Sequence, residues 1–316
     1  MERHFKKRLL LAAGLFGLVA TAQAVTTAKD VQTFTLNNGM KFLVLEDHSI
    51  PNANFYVLWR VGSRNEYPGI TGLSHFFEHM MFNGAKKHGP KQFDRVMEAN
   101  GGANNAYTTN DVTVYTDWFP ATALETIFDL EADRIADLNL DDAMVESERG
   151  VVASERTTGL ENSPWRTLGE EVDGAAFRAH PYSWPVIGHE SDIKGWKKSD
   201  LQAYFDTYYA PNNAVAVVVG DVNVADVKKL AEQYFAPIPA AEPPRPVHTV
   251  EPEQKGEKRV FVKKESISAP HLLISYKTPA TSHPDHYALD MLTTILTALL
   301  KTKWVKMLLF ADKPTI

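Results

Sequence analysis

The chain has 316 residues, of which 44% are hydrophobic and 23% are charged; this composition is typical of a globular protein with one large or two ordinary domains and excludes a disordered or fibrous chain. The formal net charge of −6 makes the chain a poor binder of nucleic acid. Because the chain has no cysteine, disulfides and thiolate ligands are excluded, and any metal site must consist of histidine and carboxylate groups.

Residues 1–24 have the pattern of a cleavable secretory signal peptide. Basic residues precede an apolar run from Leu9 to Thr21, and Ala22-Gln23-Ala24 fits the usual cleavage pattern. Such a run is too short to span a bilayer. We therefore expect cleavage after Ala24 and a periplasmic or secreted mature chain with no stable membrane span; an uncleaved anchor is the alternative. Since the segment carries four basic residues and one acidic residue, its removal changes the formal charge from −6 to −9.

The first folded segment is predicted to be a β-hairpin. Two strand-like runs between Phe34 and Leu45 flank Asn38-Gly39, the strongest short sequence signal for a hairpin. The segment from Asn54 to Val61 predicts a third strand. Three strands so close together in the chain indicate a sheet that begins near the mature N-terminus.

A short, almost wholly apolar helix is predicted from Gly72 to Phe82, with Thr71 as its N-cap. His75, Glu78 and His79 fall within about 100° of its circumference. Buried ionisable groups need a partner or a metal. Two neutral imidazoles one turn apart can bind a single Zn²⁺, and the glutamate before the second histidine is then a candidate general base. The alternative is a core helix whose histidines bond only to the backbone.

The order His75-x-x-Glu78-His79 is the inverse of the common H-E-x-x-H motif. It resembles the inverzincin motif of the pitrilysin/insulinase family of zinc peptidases, which includes the mitochondrial processing peptidases. The run from Tyr208 to Asp221 resembles the same family, and the likeness extends from Phe34 to Ile238. The resemblance implies an α+β fold of processing-peptidase-like half-domains, with helices packed on one face of a mostly antiparallel sheet.

The segment from Ala103 to Tyr115 is rich in β-branched and aromatic residues but polar in its first half. This pattern predicts a strand at a sheet edge that faces solvent or a ligand. In the family it resembles, this edge receives the substrate peptide as an added strand, and the positions matching Asn105 and Ala106 contact it. A solvated strand without a ligand is the alternative.

A longer helix is predicted to begin at Asp141-Asp142 and to end at Gly159. One predicted apolar stripe of this helix contains Met144, Glu148, Val151 and Glu155. Because the two glutamates are about 10.5 Å apart along the axis, only one of them can bind the metal, and the pattern does not say which. The family resemblance implies Glu155, which follows the second histidine by about 76 positions, and matches Glu148 to an additional active-site glutamate. A pair of surface glutamates is the alternative.

The remaining elements of the first lobe follow from periodicity and caps. Helices are predicted from Lys91 to Asn100, Ala121 to Asp137, Ser163 to Phe177, Ser199 to Tyr209 and Val224 to Phe235, and a strand from Asn213 to Val219. His180 and His189 lie in a loop rich in proline and aromatic residues and have no ligand spacing. We therefore expect these two histidines to be structural.

Six prolines between Pro237 and Pro252 predict a semi-rigid linker. We expect a catalytic domain at residues 25–238, a linker at 239–252 and a second, non-catalytic homologous domain at 253–316. Strands from Arg259 to Lys264 and His271 to Lys277, then a helix from Ala288 to Thr297, form a weak echo of the first lobe. Compared with the family, this second domain is expected to be partial.

Together the resemblance implies an exported zinc metalloendopeptidase with one Zn²⁺ per chain, held by His75, His79 and Glu155. Glu78 would deprotonate a zinc-activated water that attacks the scissile carbonyl, and would then pass the proton to the leaving amine. Extended peptides or unfolded segments are the expected substrates, and a homologous subunit or a second copy is a candidate partner. The alternatives are a catalytically silent, zinc-binding peptide-binding subunit of a peptidase complex and a simple metal-binding scaffold.

Overall fold

The computed structural model describes residues 27–299 and 305–311, with side chains for residues 27–296. The predicted signal peptide at residues 1–24 lies outside this part. Thr27 to Asp30 form a turn in which the Thr27 N–H donates to the Asp30 carboxylate at 2.7 Å. None of the helices in the described ranges is both long enough and apolar enough to cross a membrane.

Most of the described chain belongs to one sheet and the helices that cover it. The strands are β1 (Gln32–Thr35), β2 (Lys41–Glu46), β3 (Asn52–Trp59), β4 (Ala103–Thr108), β5 (Thr113–Pro120) and β6 (Ala214–Gly220). The helices are α1 (Leu73–Met80), α2 (Gln92–Ala99), α3 (Leu124–Ala136), α4 (Asp142–Asn162), α5 (Pro164–Ala176), α6 (Glu190–Gly195), α7 (Lys198–Tyr208) and α8 (Val224–Tyr234). A smaller unit follows with β7 (Leu272–Thr278), α9 (His286–Leu299) and β8 (Val305–Ala311).

The main sheet has the strand order β1-β2-β6-β3-β5-β4, so β1 and β4 are its edges. Its neighbouring strands pair antiparallel, apart from the parallel pair β2 and β6. Gly39 lies in the turn between β1 and β2 with φ +88°, a conformation that glycine adopts without strain. The predicted hairpin and the predicted mostly antiparallel α+β fold are therefore confirmed.

Helices cover one face of this sheet. In β3, Phe55 is completely buried on the covered face, whereas the neighbouring Tyr56 on the opposite face is exposed. Phe128 of α3 stacks on Phe55 with ring centroids 4.9 Å apart, and Phe235, just after α8, meets both rings edge-on. Aromatic packing of this kind contributes beyond simple burial of area, so the helical layer and the sheet share one core.

The segment from Ala103 to Tyr115 is a hairpin rather than the single strand that was predicted. Thr109 Oγ1 accepts hydrogen bonds from the backbone N–H groups of Asp111 at 3.1 Å and Val112 at 3.0 Å, which reverses the chain between β4 and β5. The polar half of the segment forms the edge strand β4. The apolar half forms β5, inside the sheet.

Two further predictions are wrong. Helix α4 continues through Gly159 to Asn162, and Ser163 then caps α5 by accepting a hydrogen bond from the Arg166 N–H at 3.2 Å. No helix or strand occurs at residues 239–271, all of which are described, so the segment from Arg259 to Lys264 is not a strand. Strand-forming residues alone do not make a strand, because a strand also needs a neighbour with which its backbone can pair.

Glu251, near the end of the proline-rich segment, contacts residues that precede this segment and a residue that follows it. Its carboxylate accepts hydrogen bonds from the backbone N–H groups of Arg178, Ala179 and His180 at 2.8 to 2.9 Å. Lys277 Nζ of β7 lies 3.7 Å from the same carboxylate. Burial raises the pKa of Glu251, but the backbone donors and Lys277 lower it more, and the net pKa is about 2.

We expect Glu251→Gln to lower the free energy of unfolding at pH 7 by about 1–3 kcal/mol, because an amide is uncharged and has a single acceptor oxygen for the three backbone donors. The pKa of Glu251 is lower in the folded chain, at about 2, than its ordinary value of 4.5. This stabilisation should therefore be complete above pH 4.5 and be lost as the pH falls towards 2. Urea unfolding across this range would measure it. Glu253→Gln, at an exposed position nearby, is the control, and an equal loss there would contradict the prediction.

Candidate metal centre

Helix α1 is held by its apolar side chains. Phe76 and Phe77 are completely buried. The Phe76 ring packs against Trp196 with centroids 5.1 Å apart, and the Phe77 ring packs against Tyr209, also at 5.1 Å. Tyr115 of β5 donates a hydrogen bond to the Phe77 carbonyl at 3.0 Å. These contacts fix the rotation of α1 about its axis, so its polar stripe points in one direction.

The predicted N-cap of α1 is wrong. Thr71 Oγ1 donates instead to Asp192 at 2.7 Å. The backbone N–H groups of Gly72 and Ser74, which have no acceptor within the helix, donate to the two oxygens of Glu66 at 2.7 and 2.8 Å. Burial raises the pKa of Glu66 to about 8, although these backbone donors act in the opposite direction. A carboxyl group from the preceding turn therefore caps the helix that carries the histidines.

The structure brings Glu155 of α4 to both histidines of α1. His75 Nε2 lies 3.1 Å from Glu155 Oε2, and His79 Nε2 lies 3.5 Å from the same oxygen. One donor atom from each of these three residues lies within 4.8 Å of the other two. Within residues 27–299 and 305–311, no other group of histidine, aspartate and glutamate side chains meets this criterion.

Glu148 contacts the opposite side of the His79 ring. Its Oε1 lies 2.7 Å from His79 Nδ1, and its Oε2 accepts a hydrogen bond from Asn83 Nδ2 at 2.7 Å. The two glutamates of α4 therefore meet different nitrogens of His79. This agrees with the helical spacing, which does not allow both carboxylates to reach one point.

Glu78 lies between α1 and the edge strand β4. Its Oε2 is 3.3 Å from His75 Nδ1 and accepts a hydrogen bond from Thr108 Oγ1 at 2.5 Å. Only 15% of the Glu78 side chain is exposed. Thr108 ends β4, so the strand at the sheet edge leads directly to this carboxylate.

The stripe of α4 that carries the glutamates is not the apolar side that was predicted. The buried residues of α4 are Val145, Val152 and Arg156, whereas Val151 is 48% exposed. The Glu155 side chain is 37% exposed. Glu155 therefore reaches the histidines from the wall of an open groove along α4, which Val151, Gly159 and Arg166 also line, and its position depends on its polar neighbours.

The charged groups of the cluster shift one another's pKa values. Burial lowers the pKa of both imidazoles, but hydrogen bonds to the carboxylates raise it more, and the net pKa of His79 is about 9. The same hydrogen bonds hold the pKa values of Glu148 and Glu155 below the ordinary value. Without a metal, protons on the imidazoles thus supply the positive charge. A metal ion that bound here would replace those protons.

The cluster fits a zinc ion. Ligands about 2.1 Å from a tetrahedral Zn²⁺ lie about 3.4 Å apart, and the two histidine–glutamate contacts measure 3.1 and 3.5 Å. Two imidazole nitrogens and one carboxylate oxygen are typical zinc ligands. The other ring nitrogens, His75 Nδ1 and His79 Nδ1, contact Glu78 and Glu148, an arrangement that orients metal-binding histidines in many proteins.

The predicted substrate residues lie on the edge strand. Asn105 is exposed and Ala106 is half-buried. The backbone N–H of Ala106 donates to Asn105 Oδ1 at 2.9 Å. A side chain therefore satisfies a backbone donor of this strand, which is one way in which proteins protect an exposed sheet edge.

The two loop histidines lie outside the cluster. His180 is buried, and its Nδ1 accepts a hydrogen bond from the Tyr182 N–H at 3.3 Å. The backbone N–H of His189 donates to Thr71 Oγ1 at 2.9 Å. A structural role for both residues stays a prediction.

Sequence reasoning missed several polar residues that contact the predicted site. They are Glu66, Asn83, Thr108 and Arg166. Asn83 could have been suspected, because it follows α1 directly. Glu66 lies only six residues before Gly72, but no capping pattern marks it. Thr108 and Arg166 carry no local signal, since each lies on another element and reaches the site only through tertiary packing.

Comparison with known proteins gives two adjoining matches. Residues 41–190 match the model of the insulinase family, peptidase family M16, and residues 195–306 match that of the peptidase M16 inactive domain. The zinc protease PqqE of Helicobacter pylori is 33% identical over 306 residues, which cover 93% of this chain and 68% of that protein. Subunit 1 of the bovine mitochondrial cytochrome b-c1 complex is 25% identical over 91% of this chain and 60% of its own length.

Comparison with solved structures also matches this chain to a protease. The crystal structure of a protease from Helicobacter pylori aligns with a TM-score of 0.74 and 30% identity, covering 84% of this chain and 64% of that chain. The chain thus spans about 60 to 68% of the length of these relatives.

The zinc ligands can be tested by a graded series of variants. His75→Ala and His79→Ala should each abolish stoichiometric zinc, because each removes one of three protein ligands. Loss of an outer partner costs about 10- to 100-fold in metal affinity, so Glu148→Gln should fall in that range and Glu155→Gln should exceed it. Metal analysis after dialysis and competition with a chelator would measure these effects. The exposed His248→Ala is the control, and full zinc retention by His75→Ala would refute the ligand set.

Proposed function

The chain belongs to the pitrilysin/insulinase family of zinc peptidases, peptidase family M16, and on that premise we propose that it is an exported zinc-dependent endopeptidase acting on extended peptides or unfolded segments. The observation that carries the proposal is the convergence of His75, His79 and Glu155 on one point, with the carboxylate of Glu78 beside it. This arrangement supplies a metal-binding set and a separate proton acceptor.

His75, His79 and Glu155 would hold one zinc ion, which when bound supplies a Lewis acid that makes water nucleophilic at neutral pH. Glu78 is the general base in this proposal. Burial raises its pKa, but hydrogen bonds with His75 and Thr108 lower it more, so the net pKa lies below the ordinary value. The carboxylate is therefore ionised at neutral pH. It can accept the proton of the attacking water and later deliver it to the leaving amine.

We propose that the substrate binds as an added strand along β4. Main-chain hydrogen bonds hold such a peptide, so an extended backbone matters more than the identity of its side chains. Because β4 ends at Thr108, which donates to Glu78, a peptide laid along this edge would pass the catalytic carboxylate. The Ala106 N–H would have to exchange its bond to Asn105 for one to the substrate.

Export rests on the leader pattern of residues 1–24, and we propose a periplasmic or secreted location for the mature chain. We also propose a catalytic domain at residues 25–238, a linker at 239–252 and a second, non-catalytic homologous domain at 253–316. A homologous subunit or a second copy of the chain is the proposed partner. The similarity to a protein that is named as subunit 1 of the cytochrome b-c1 complex supports a partner.

A catalytically silent peptide-binding subunit is the second candidate function. It is favoured by the similarity to a protein that is named as a subunit of the cytochrome b-c1 complex. The convergence of three potential ligands and a separate base favours catalysis, because a silent subunit has no need of that arrangement.

Glu78→Gln separates the two candidates. If Glu78 is the base, the variant should retain zinc and lose at least about 10²-fold in turnover, the usual scale for loss of a general base. Hydrolysis of a fluorogenic unstructured peptide by the purified mature chain would be measured with zinc content on the same sample. An active wild type whose Glu78→Gln variant loses its metal would make Glu78 a ligand instead. A zinc-loaded wild type that binds the peptide without cleaving it would favour the silent subunit.

The edge-strand proposal predicts that Ala106→Pro weakens peptide binding without changing zinc content, because proline removes one backbone donor from β4. Asn105→Ala should change binding less than Ala106→Pro, because it removes a proposed contact to the peptide but also frees the Ala106 N–H. Titration of a labelled unstructured peptide into zinc-loaded Glu78→Gln protein, with and without each substitution, would measure both effects. Ala106→Ser, which keeps the N–H, is the matched control. Equal affinities for Ala106→Pro and Ala106→Ser would mean that the peptide binds elsewhere.

A further inference from the structure

The two oxygens of Glu155 face different partners. Oε2 lies against the imidazoles of His75 and His79, while Oε1 lies 3.6 Å from Nη2 of Arg166. Arg166 belongs to the first turn of α5, and its side chain is 41% exposed. A carboxylate placed between two imidazoles and a guanidinium presents a single oxygen towards the site that the histidines share.

Arg166 reaches Glu155 across Gly159. A Cβ atom added at Gly159 would overlap Arg166 Nη1 and lie 2.9 Å from its Cζ. The backbone at Gly159 has ordinary helical geometry inside α4 and no positive φ, so the helix itself does not require glycine there. Glycine is unfavourable in a helix interior compared with alanine. The guanidinium of Arg166 passes over Gly159, and this close contact accounts for a glycine at this position.

The corner between α4 and α5 fixes the path of this side chain. The Arg166 N–H donates to the Ser163 hydroxyl that caps α5, so the backbone of Arg166 is anchored at the start of the helix. Glu155 and Gly159 are four residues apart in α4 and therefore lie on the same face, one turn apart. From this fixed backbone position, the Arg166 side chain passes over Gly159 and ends near the Glu155 carboxylate.

We propose that Arg166 is a positioning residue that holds Glu155 in a one-oxygen binding orientation, and that Gly159 is the gap which makes this contact possible. This inference rests on the proposed role of Glu155 as a zinc ligand. With its positive charge 3.6 Å from Oε1, the guanidinium opposes rotation of the carboxylate, so that a bound zinc ion would meet Oε2 alone. Such one-oxygen binding would keep a position open for a water molecule, as a catalytic zinc site requires.

The expected effect is moderate, because the ion pair is partly exposed and solvent screens such pairs. Outer partners of metal ligands change metal affinity by about 10- to 100-fold, and partial exposure places Arg166 at the lower end. Arg166→Ala should therefore weaken zinc binding about tenfold. Arg166→Lys should fall between wild type and Arg166→Ala, because lysine keeps the charge but lacks the planar fork of nitrogens that holds a carboxylate in one orientation.

A double-mutant cycle tests the role of Gly159. Gly159→Ala should also weaken zinc binding about tenfold, because the new methyl group displaces the guanidinium. The double variant should bind zinc no more weakly than Arg166→Ala alone, since Gly159 acts only through Arg166. In the absence of metal, Gly159→Ala should raise the melting temperature of the Arg166→Ala protein, where the methyl group meets no guanidinium and improves the helix.

Gly150→Ala is the matched control. Gly150 lies in the same helix, and a Cβ atom there would have no neighbour within 4 Å. This variant should raise the melting temperature and leave zinc affinity unchanged. Zinc affinity would be measured by competition with a chelator, and folding by circular dichroism, on the full mature chain.

The outcomes separate this inference from the proposed function. Zinc binding by the wild type with unchanged affinity in Arg166→Ala would refute the positioning role alone. Unchanged zinc affinity together with a higher KM for the peptide would assign Arg166 to substrate contact in the groove along α4. Additive losses in the cycle would refute the role of Gly159. A wild-type chain that binds no zinc would refute the proposed function and this inference with it.

Discussion

The structure depends on one constraint: three ionisable side chains on a buried helix must each be paired with a polar or charged partner. The apolar residues of α1 pack into the core on both sides of the stripe that carries His75, Glu78 and His79. Charged or polar groups in such a position are costly unless they are paired. The partners come from elsewhere in the fold, with Glu148 and Glu155 supplied by α4 and Thr108 by β4. The site is therefore an interface between three elements, and none of them could form it alone.

A second set of carboxyl groups secures the start of the same helix. Glu66 accepts from the first free N–H groups of α1, and Asp192 accepts from the turn before it, through both the backbone and the hydroxyl of Thr71. Because Asp192 belongs to α6, this turn is tied to a part of the chain more than one hundred residues away. The position of the histidines thus depends on contacts at the start of α1. Any change that loosens the turn should move His75 and His79 as well.

Residues around the cluster each contact a different one of its side chains. Glu148 and Asn83 orient one imidazole, Thr108 orients the carboxylate of Glu78, and Arg166 faces the free oxygen of Glu155. The edge strand β4 and the exposed wall of α4 lie on two sides of the cluster, where a peptide can approach. Glu251 connects the later part of the chain to the loop after α5, the helix that carries Arg166. The end of the proline-rich segment therefore contacts the loop that follows the helix carrying Arg166.

The sequence by itself determined the local features. The spacing of His75 and His79 places both on one face of any α-helix, Asn38-Gly39 specifies a hairpin turn, and Asp141 caps α4 through its own side chain. These features depend on residues a few positions apart. Glu155 could be chosen over Glu148 only through the family resemblance, because helical periodicity places both on one stripe.

The tertiary structure decided everything that depends on a distant neighbour. Thr71 has the chemistry of an N-cap, but Asp192 takes its hydroxyl and Glu66 caps the helix. Gly159 has the chemistry of a helix stop, but α4 continues and the glycine makes room for Arg166. Backbone propensity describes which conformations a residue accepts, whereas the conformation adopted is set by the partners that packing brings within reach of its hydrogen-bonding groups.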